Sequence, residues 1–226
     1  SHKVENTFVW DNRIHKKVVT PEQNRILNII EAEPDEPIDV QGFAGSGKSE
    51  LIPYLVDCIQ SSGVVLLADT HQQIQSVAKR LNRSVIQKTF WEMADDVLQI
   101  DTTARRWTFK KRSQTRNIWR IEKYIERFGY HALGLMSASD VAATVIKTVN
   151  RFSYSKDTSI EEKHLPALNI SISRAEKMLL VELSEQLWNA IVSVDQNDAP
   201  PIKTNHRIKL WSLLNIPIPA QYTHLI

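Results

Sequence analysis

Apolar positions at 26, 27, 29 and 30 follow a Thr-Pro-Glu-Gln start, so TPEQNRILNIIEA (20–32) predicts an amphipathic helix. Thr20 caps it, Pro21 suits its first turn, and Glu22 and Gln23 follow. EPDEP then breaks the pattern. IDVQGFAG (38–45) is short and β-branched before its glycines, which predicts a buried strand running into a loop. A helix is expected from Lys48 to Gln60, closed by Ser-Ser-Gly, with a local kink at Pro53. VVLLAD (64–69) predicts a second buried strand and THQQIQSVAKRLN a helix. SVIQKTF and WEMADDVLQI predict another strand and helix. Strand and helix thus alternate over the first hundred residues, the signature of an α/β fold with a parallel, helix-covered sheet.

From about 103 to 195 the period changes. TRNIWRIEKYIERF (115–128), SASDVAATVIKTVNRF (137–152) and SRAEKMLLVELSEQLWNAIV (173–192) all read as helices, with Ser137 or Ser139 and Ser171 or Ser173 as caps. QNDAPPIKTN is loop-like, HRIKLWSLL a short helix or turn, and AQYTHLI the beginning of a strand. These changes divide the chain into a first α/β part (1–102), a mostly helical insertion (103–205) and a return to the α/β domain (206–226).

Between the first predicted strand and its helix lies Gly42-Phe43-Ala44-Gly45-Ser46-Gly47-Lys48-Ser49, which fits G-x-x-x-x-G-K-[ST] at every fixed position. Glycines let successive backbone N–H groups turn inward around phosphate oxygens, and the helix that follows adds its positive N-terminus. Lys48 reaches the β- and γ-phosphates and Ser49 supplies a hydroxyl to Mg²⁺, so ATP and Mg²⁺ are the expected cofactors. Glu50 joins the loop in the expected nucleotide-binding set, and Lys48 and Ser49 carry its catalytic part. Hydrolysis also needs an acidic residue ending a neighbouring strand. Asp69 lies on the strand directly after the phosphate-loop helix, and Asp95-Asp96 fall in a helical pattern. The strand best suited to such an acid begins at Tyr222-Thr223-His224-Leu225-Ile226.

Composition adds an asymmetry. The 226 residues carry a net charge of only +2. Yet Arg105, Arg106, Lys110, Lys111, Arg112, Arg116, Arg120, Lys123 and Arg127 cluster against Glu122 and Glu126 alone, leaving the rest net acidic. Such a cluster points to a polyanionic partner, with a solvated helix face as the other reading. Trp107, Phe109, Trp119 and Tyr124 interleave with it, and the spacing of Arg116, Arg120, Lys123 and Arg127 places four cations on one helical face. The single cysteine, Cys58, has no intrachain partner and is expected buried in a helix, in keeping with a reducing compartment. No apolar run reaches the ~20 residues of a membrane span and no signal peptide is evident. The expected location is cytoplasmic, at a bacterial nucleoid, or nuclear in a eukaryote, with no secretion and no membrane partner.

Several short segments, in this order, resemble superfamily 1 DNA helicases of the UvrD/Rep/PcrA kind. Thr20-Pro21-Glu22-Gln23-Asn24-Arg25 is similar to their Q motif, about twenty residues before the phosphate loop, and implies that Gln23 reads the adenine edge. VVLLADTHQQIQSVAKRL resembles their motif Ia, which implies that Thr70 and His71 hold single-stranded DNA phosphates. Gln72 and Gln73 stand where Lys and Ala are commoner. Lys88-Thr89-Phe90-Trp91 resembles the Thr-Phe-His segment that follows, making Thr89, Phe90 and Trp91 DNA-contact candidates, with core packing of the two aromatics as the alternative. VIKTVNRFSYSKDTSIEEKHLP and RIKLWSLLNIPIPAQYTHLI resemble the branch containing the F-box DNA helicases. The resemblance implies a RecA-like P-loop fold with a helical insertion and an Asp-Glu-Ala-Gln continuation beyond Ile226. It also implies single-stranded DNA and DNA junctions as partners, and remaining helicase domains in the parent chain, without which this portion hydrolyses little. The basic insertion is then expected to meet duplex or junction. A nucleotide-dependent switch or nucleic-acid-binding module without motor activity is the alternative. A P-loop kinase is disfavoured by Gln23 and by the basic insertion.

Overall fold

The computed structural model describes residues 20–33, 37–41, 47–99, 118–193 and 199–226. The chain divides into two compact units, one of residues 1–89 with 219–226 and one of residues 90–218.

The first unit is mixed α/β. Helix α1 (Pro21–Ala32) and helix α2 (Lys48–Cys58) precede strand β1 (Val64–Ala68), helix α3 (His71–Ala78) and strand β2 (Ile86–Thr89), and strand β3 (His224–Leu225) comes from the far end of the chain. Among the described residues the sheet has three strands in the order β2-β1-β3, all parallel. Val65 pairs with Ile86 and Ala68 with Thr89 on one edge, and Val64 pairs with His224 on the other. Val64, Val65 and Leu66 are buried, as a doubly covered parallel strand requires. Val56, Ile59 and Val64 form one apolar cluster, and Leu66, Ile74 and Val77 another, each with Ile52, Val85 and Ile226 against it. Helix α2 runs through Pro53, although proline lacks the N–H that would bond the Ser49 carbonyl.

One expectation is corrected here. Residues 38–41 form no strand. Ile38 is 39% exposed rather than buried, and Gln41 Nε2 donates to Asp39 Oδ2 at 2.8 Å. Four residues between a proline and a glycine loop bury too little apolar surface to be ordered as a strand without a neighbour.

The second unit is helical. It contains α4 (Phe90–Gln99), α5 (Ile121–Phe128), α6 (Ala138–Ser153), a single 3-10 turn (Glu162–His164), α7 (Arg174–Ile191) and α8 (Thr204–Leu214). Ser137 and Ser173, of the serines considered, are the caps of α6 and α7, each closing a capping box with Asp140 or Glu176. Helix α5 begins later than expected, at Ile121, so Arg120 is its N-cap and only Lys123 and Arg127 of the expected cationic face lie within the helix. The core centres on Phe152, whose ring meets Trp188 edge-to-face at 5.4 Å and His164 at 5.5 Å. Small polar residues buried in α6 and α7 spend their hydroxyls within their own helix: Thr148 donates to the Thr144 carbonyl at 2.8 Å and Ser184 to the Leu180 carbonyl at 2.7 Å. Lys209, only 4% exposed, lays its ammonium 4.2 Å from the Phe152 ring centre. It donates to the carbonyls of Ser155 and Asp157, and burial pushes its pKa down. The Asp157 carboxylate is held at about 2 by hydrogen bonds from Lys163 and then His164.

His206 is buried at the start of α8. Its Nδ1 accepts the Lys203 N–H at 3.1 Å and its Nε2 lies 3.3 Å from Asn150 Oδ1, which fixes the neutral tautomer with the proton on Nε2. Burial, then Lys203 and Arg207, push its pKa down to about 3. Unfolding restores a value near 6.5, so the unfolded chain binds the extra proton between these values. The stability His206 provides is complete above pH 6.5 and falls by about 1.4 kcal/mol per pH unit as pH drops toward 3. Denaturant titrations at pH 7.5, 5.5 and 4.5 measure this slope. His206→Gln, which keeps an acceptor for Lys203 and a donor for Asn150 but no titration, is expected to be flatter over that window.

Candidate nucleotide site

The described part of the Gly42–Ser49 segment begins at Gly47, the N-cap of α2, with φ +81° and ψ 12°. Only glycine takes this left-handed conformation without strain. A Cβ at residue 47 would also lie 2.9 Å from Gln23 Nε2, so the Gln23 side chain would have to shift to admit it. Gly47 as N-cap has no side chain to cap α2, and a helix N-terminus of this kind suits an anion. Lys48 is half-buried in the first turn, and Ser49 and Glu50 are exposed. Gly42, Phe43, Ala44, Gly45 and Ser46 lie outside the described residues.

Gln23 comes to this turn from α1. The Thr20 Oγ1 accepts the Gln23 N–H at 3.2 Å and Gln23 Oε1 accepts the Thr20 N–H at 3.0 Å, a complete capping box. Gln23 Nε2 donates to the Gly47 carbonyl at 3.4 Å, and the same carbonyl accepts the Glu50 N–H at 3.0 Å. The structure therefore brings Gln23 and the Gly47-Lys48 turn together across 24 residues of sequence. Leu27 and Leu51, both buried, hold α1 against α2 behind this contact.

The nucleic-acid candidates are placed as follows. Thr70 caps α3, its Oγ1 accepting the Gln73 N–H and its own N–H meeting Gln73 Oε1, both at 3.2 Å. His71 is exposed on the first turn. Thr89 ends β2 in register with Ala68, so Thr70 and Thr89 share the carboxyl edge of the sheet, although the Thr89 side chain is only 1% exposed. In the helical unit Phe90 is 39% exposed, whereas Trp91 is half-buried with the Arg207 guanidinium 5.9 Å from its ring centre. Arg207 pairs with Asp95 at 3.1 Å, and burial raises the Asp95 pKa against the opposing pull of Arg207. Arg105, Arg106, Lys110, Lys111, Arg112 and Arg116 lie outside the described residues. Arg120 and Lys123 are exposed, and the Lys123 ammonium stands 4.4 Å from the Trp119 ring centre. Glu122 and Glu126 share the exposed surface of α5, so the charge there is mixed.

Two features were not anticipated from sequence. Gln73, one of two departures from the family pattern, closes the α3 capping box, and the signal was a Thr-x-x-Gln identical in spacing to that of residues 20–23. Arg83 donates to the carbonyls of Val56, Ile59 and Ser61 and so closes the end of α2, while Asn82 donates to Asp57 at 2.9 Å. Cys58 is half-buried at that end, with its thiol pushed up to about 11 by burial and then by Glu31 and Asp57. No group of three or more His, Cys, Asp or Glu suited to a metal ion occurs among the described residues. No described helix is long and apolar enough to cross a membrane.

The chain is 22% identical over 215 residues to the F-box DNA helicase protein 1 of Schizosaccharomyces pombe. The match covers 93% of this chain and 24% of that protein, so the chain spans about a quarter of its relative's length. This is a distant relationship to a DNA helicase. No family model matches, and no solved structure matches.

Gly47→Ala forces a side chain into the left-handed region and against Gln23. Its expected cost is about 1–2 kcal/mol of stability from the backbone alone, read by denaturant unfolding. Gly129→Ala, at φ +66° with open space around it, provides the comparison for backbone strain without the clash.

Proposed function

We propose that this chain is the ATP-binding portion of an ATP-driven DNA helicase or translocase. What supports this reading most directly is the hydrogen bond from Gln23 to Gly47, which joins a potential base-reading amide to the start of a G-x-x-x-x-G-K-S helix. The distant helicase similarity along nearly the whole chain adds to it. In this reading the Gly42–Ser49 loop and the α2 N-terminus hold the phosphates, Lys48 neutralises charge on the β- and γ-phosphates, and Ser49 holds Mg²⁺. A glycine N-cap without a side chain and an exposed Ser49 fit that ligand. Bound Mg²⁺-ATP supplies the energy source, and the chain's own part is to orient it. A RecA-like core carries the site. Thr70, His71, Thr89, Phe90 and Trp91 contact single-stranded DNA, and Arg105, Arg106, Lys110, Lys111, Arg112, Arg116, Arg120 and Lys123 contact duplex or junction phosphates.

The decisive measurement is DNA-stimulated ATP hydrolysis by the full-length parent protein. Lys48→Ala is expected to reduce it at least about a hundredfold, the scale of removing one preorganised electrostatic group. Turnover surviving that substitution removes Lys48 from its role, and a parent that binds DNA with nucleotide but never turns it over is a switch rather than a motor. Reversing Arg116, Arg120 and Lys123 to Glu together is expected to weaken DNA binding and to lower the salt slope by about one for each phosphate no longer neutralised. Unchanged affinity rules out this surface.

A further inference from the structure

The helical unit carries a surface that neither the nucleotide site nor the candidate DNA contacts use. Lys147 and Arg151 stand one turn apart on α6, and Tyr154, the C-cap residue, continues their stripe at the i, i+4, i+7 spacing of one helical face. All three are exposed, Tyr154 at 80%, and exposed Lys156 follows two residues later. The other side of α6 is committed to the core, where Val141, Val145, Val149 and Phe152 are buried. We propose that this face docks a carboxylate-rich peptide segment of a partner protein, with its carboxylates on Lys147 and Arg151 and an apolar side chain on Tyr154.

The distribution of charge points to such a partner. Nearby carboxylates already have cations of their own. Asp157 and Glu161 share the Lys163 ammonium at 2.8 and 3.2 Å, and Glu162 pairs with Lys177. Lys147, Arg151 and Lys156 have no ion pair among the described residues, so their charge is left for a ligand. Arg151 Nη2 donates to the Lys163 carbonyl at 3.5 Å, which leaves most of its N–H fork for a carboxylate. A cation near a helix C-terminus is favourable in itself, and that accounts for Arg151. It does not account for an aromatic ring left largely in water beside two cations.

Tyr154 is also held in place. Its N–H donates to the Arg151 carbonyl at 3.2 Å and the Ser155 N–H to the Phe152 carbonyl at 2.9 Å, while Lys209 secures the carbonyls of Ser155 and Asp157. A ring presented on an ordered turn loses little further freedom on binding, and Tyr and Arg are residues on which interface energy concentrates. The Arg151–Lys163 contact also brings Glu161 and Glu162, each about half exposed, to the border of this face. A nucleic-acid backbone, charged at every nucleotide, would run over them, whereas a short peptide can place its carboxylates apart from them. The mixed border therefore favours the peptide.

The probe is a fluorescent peptide of Glu and Asp with two phenylalanines, its binding to the purified chain read by anisotropy at low and high salt. Its Gln/Asn counterpart and a single-stranded oligonucleotide are measured beside it. The acidic peptide is expected to bind, more weakly at high salt, and the Gln/Asn peptide not to bind. Lys147→Glu with Arg151→Glu is expected to weaken the peptide about tenfold, the scale of two exposed ion pairs made repulsive. Tyr154→Ala is expected to weaken it about fivefold with the salt dependence retained. Oligonucleotide binding is expected to be unchanged in both. Peptide affinity unaltered by either variant overturns the proposal, as does failure of the acidic peptide to bind the unaltered chain. Equal loss of peptide and oligonucleotide in the double reversal also overturns it, because the face is then a nucleic-acid surface. So does loss of the peptide on reversing Arg116, Arg120 and Lys123 instead, which places the peptide on that cluster. If circular dichroism shows the double reversal unfolded, Lys147→Gln with Arg151→Gln is judged by the same outcomes.

Discussion

The smaller unit depends on a close approach at Gly63. A Cβ there would lie 2.4 Å from the Gln221 carbonyl oxygen, so only glycine lets the end of the chain come in beside the start of β1. Thr223 N–H then donates to the Gly63 carbonyl at 2.9 Å, Ser61 and Thr223 hydroxyls meet at 2.6 Å, and Ile226 exchanges two backbone bonds with β1. With β3 on one edge and β2 on the other, β1 is the central strand, and burial of Val64, Val65 and Leu66 contributes roughly 1.5–3 kcal/mol each before entropy is counted. The direction of β1 then fixes where Thr70 emerges, and its register with β2 fixes Thr89 beside it. The carboxyl edge of a parallel sheet is where ligand-contacting loops gather, which makes this edge the place to look for function in an α/β unit.

The helical unit solves a different problem, that of burying polar groups among aromatic rings. Phe152 faces Trp188, His164 and the Lys209 ammonium, and each polar neighbour has its hydrogen bonds arranged elsewhere. His164 takes the Glu161 N–H on Nδ1 and reaches Asp157 with Nε2, and Lys209 is satisfied by two carbonyls of the same loop. A charge as buried as Lys209 is tolerable only when hydrogen-bonded, so residues 155–164 act as a fitted polar lid on that ring rather than as a loose connection. Removing one member would leave another buried without its partner, which costs more than the bond itself contributed.

What the sequence made legible follows from how local each signal is. Capping boxes are decided within four residues, so the starts of α1, α6 and α7 could be read from Thr-x-x-Gln, Ser-x-x-Asp and Ser-x-x-Glu, and α3 obeys the same rule at Thr70-Gln73. Apolar runs such as VVLLA identify buried strands for the same reason. Residues 38–41 failed that logic because a strand exists only with a partner, and alternation of Ile and Val says nothing about whether one is adjacent. The start of α5 was harder to read because Arg120 takes an extended backbone (φ −79°, ψ 162°) as N-cap with no side-chain cap bond, so no capping pattern marks the boundary. For the candidate site, the loop motif gave Lys48 and Ser49 directly. The Gln23–Gly47 contact spans 24 residues and no local pattern announces it, and the Arg83 closure of α2 left no sequence pattern at all.

Gln23 therefore serves two demands with one amide. Its oxygen holds the Thr20 N–H as any N3 glutamine of a capping box would, and that local role alone would justify its presence. Its nitrogen reaches the carbonyl of a glycine whose left-handed backbone angle favours glycine. A residue needed only for capping could be Glu, which closes the box equally well but cannot donate to Gly47. The choice of an amide over a carboxylate is thus explained by the second contact and not by the first. Because both contacts meet in one planar group, whatever displaces the Gly47 turn also moves the Gln23 amide and the cap of α1.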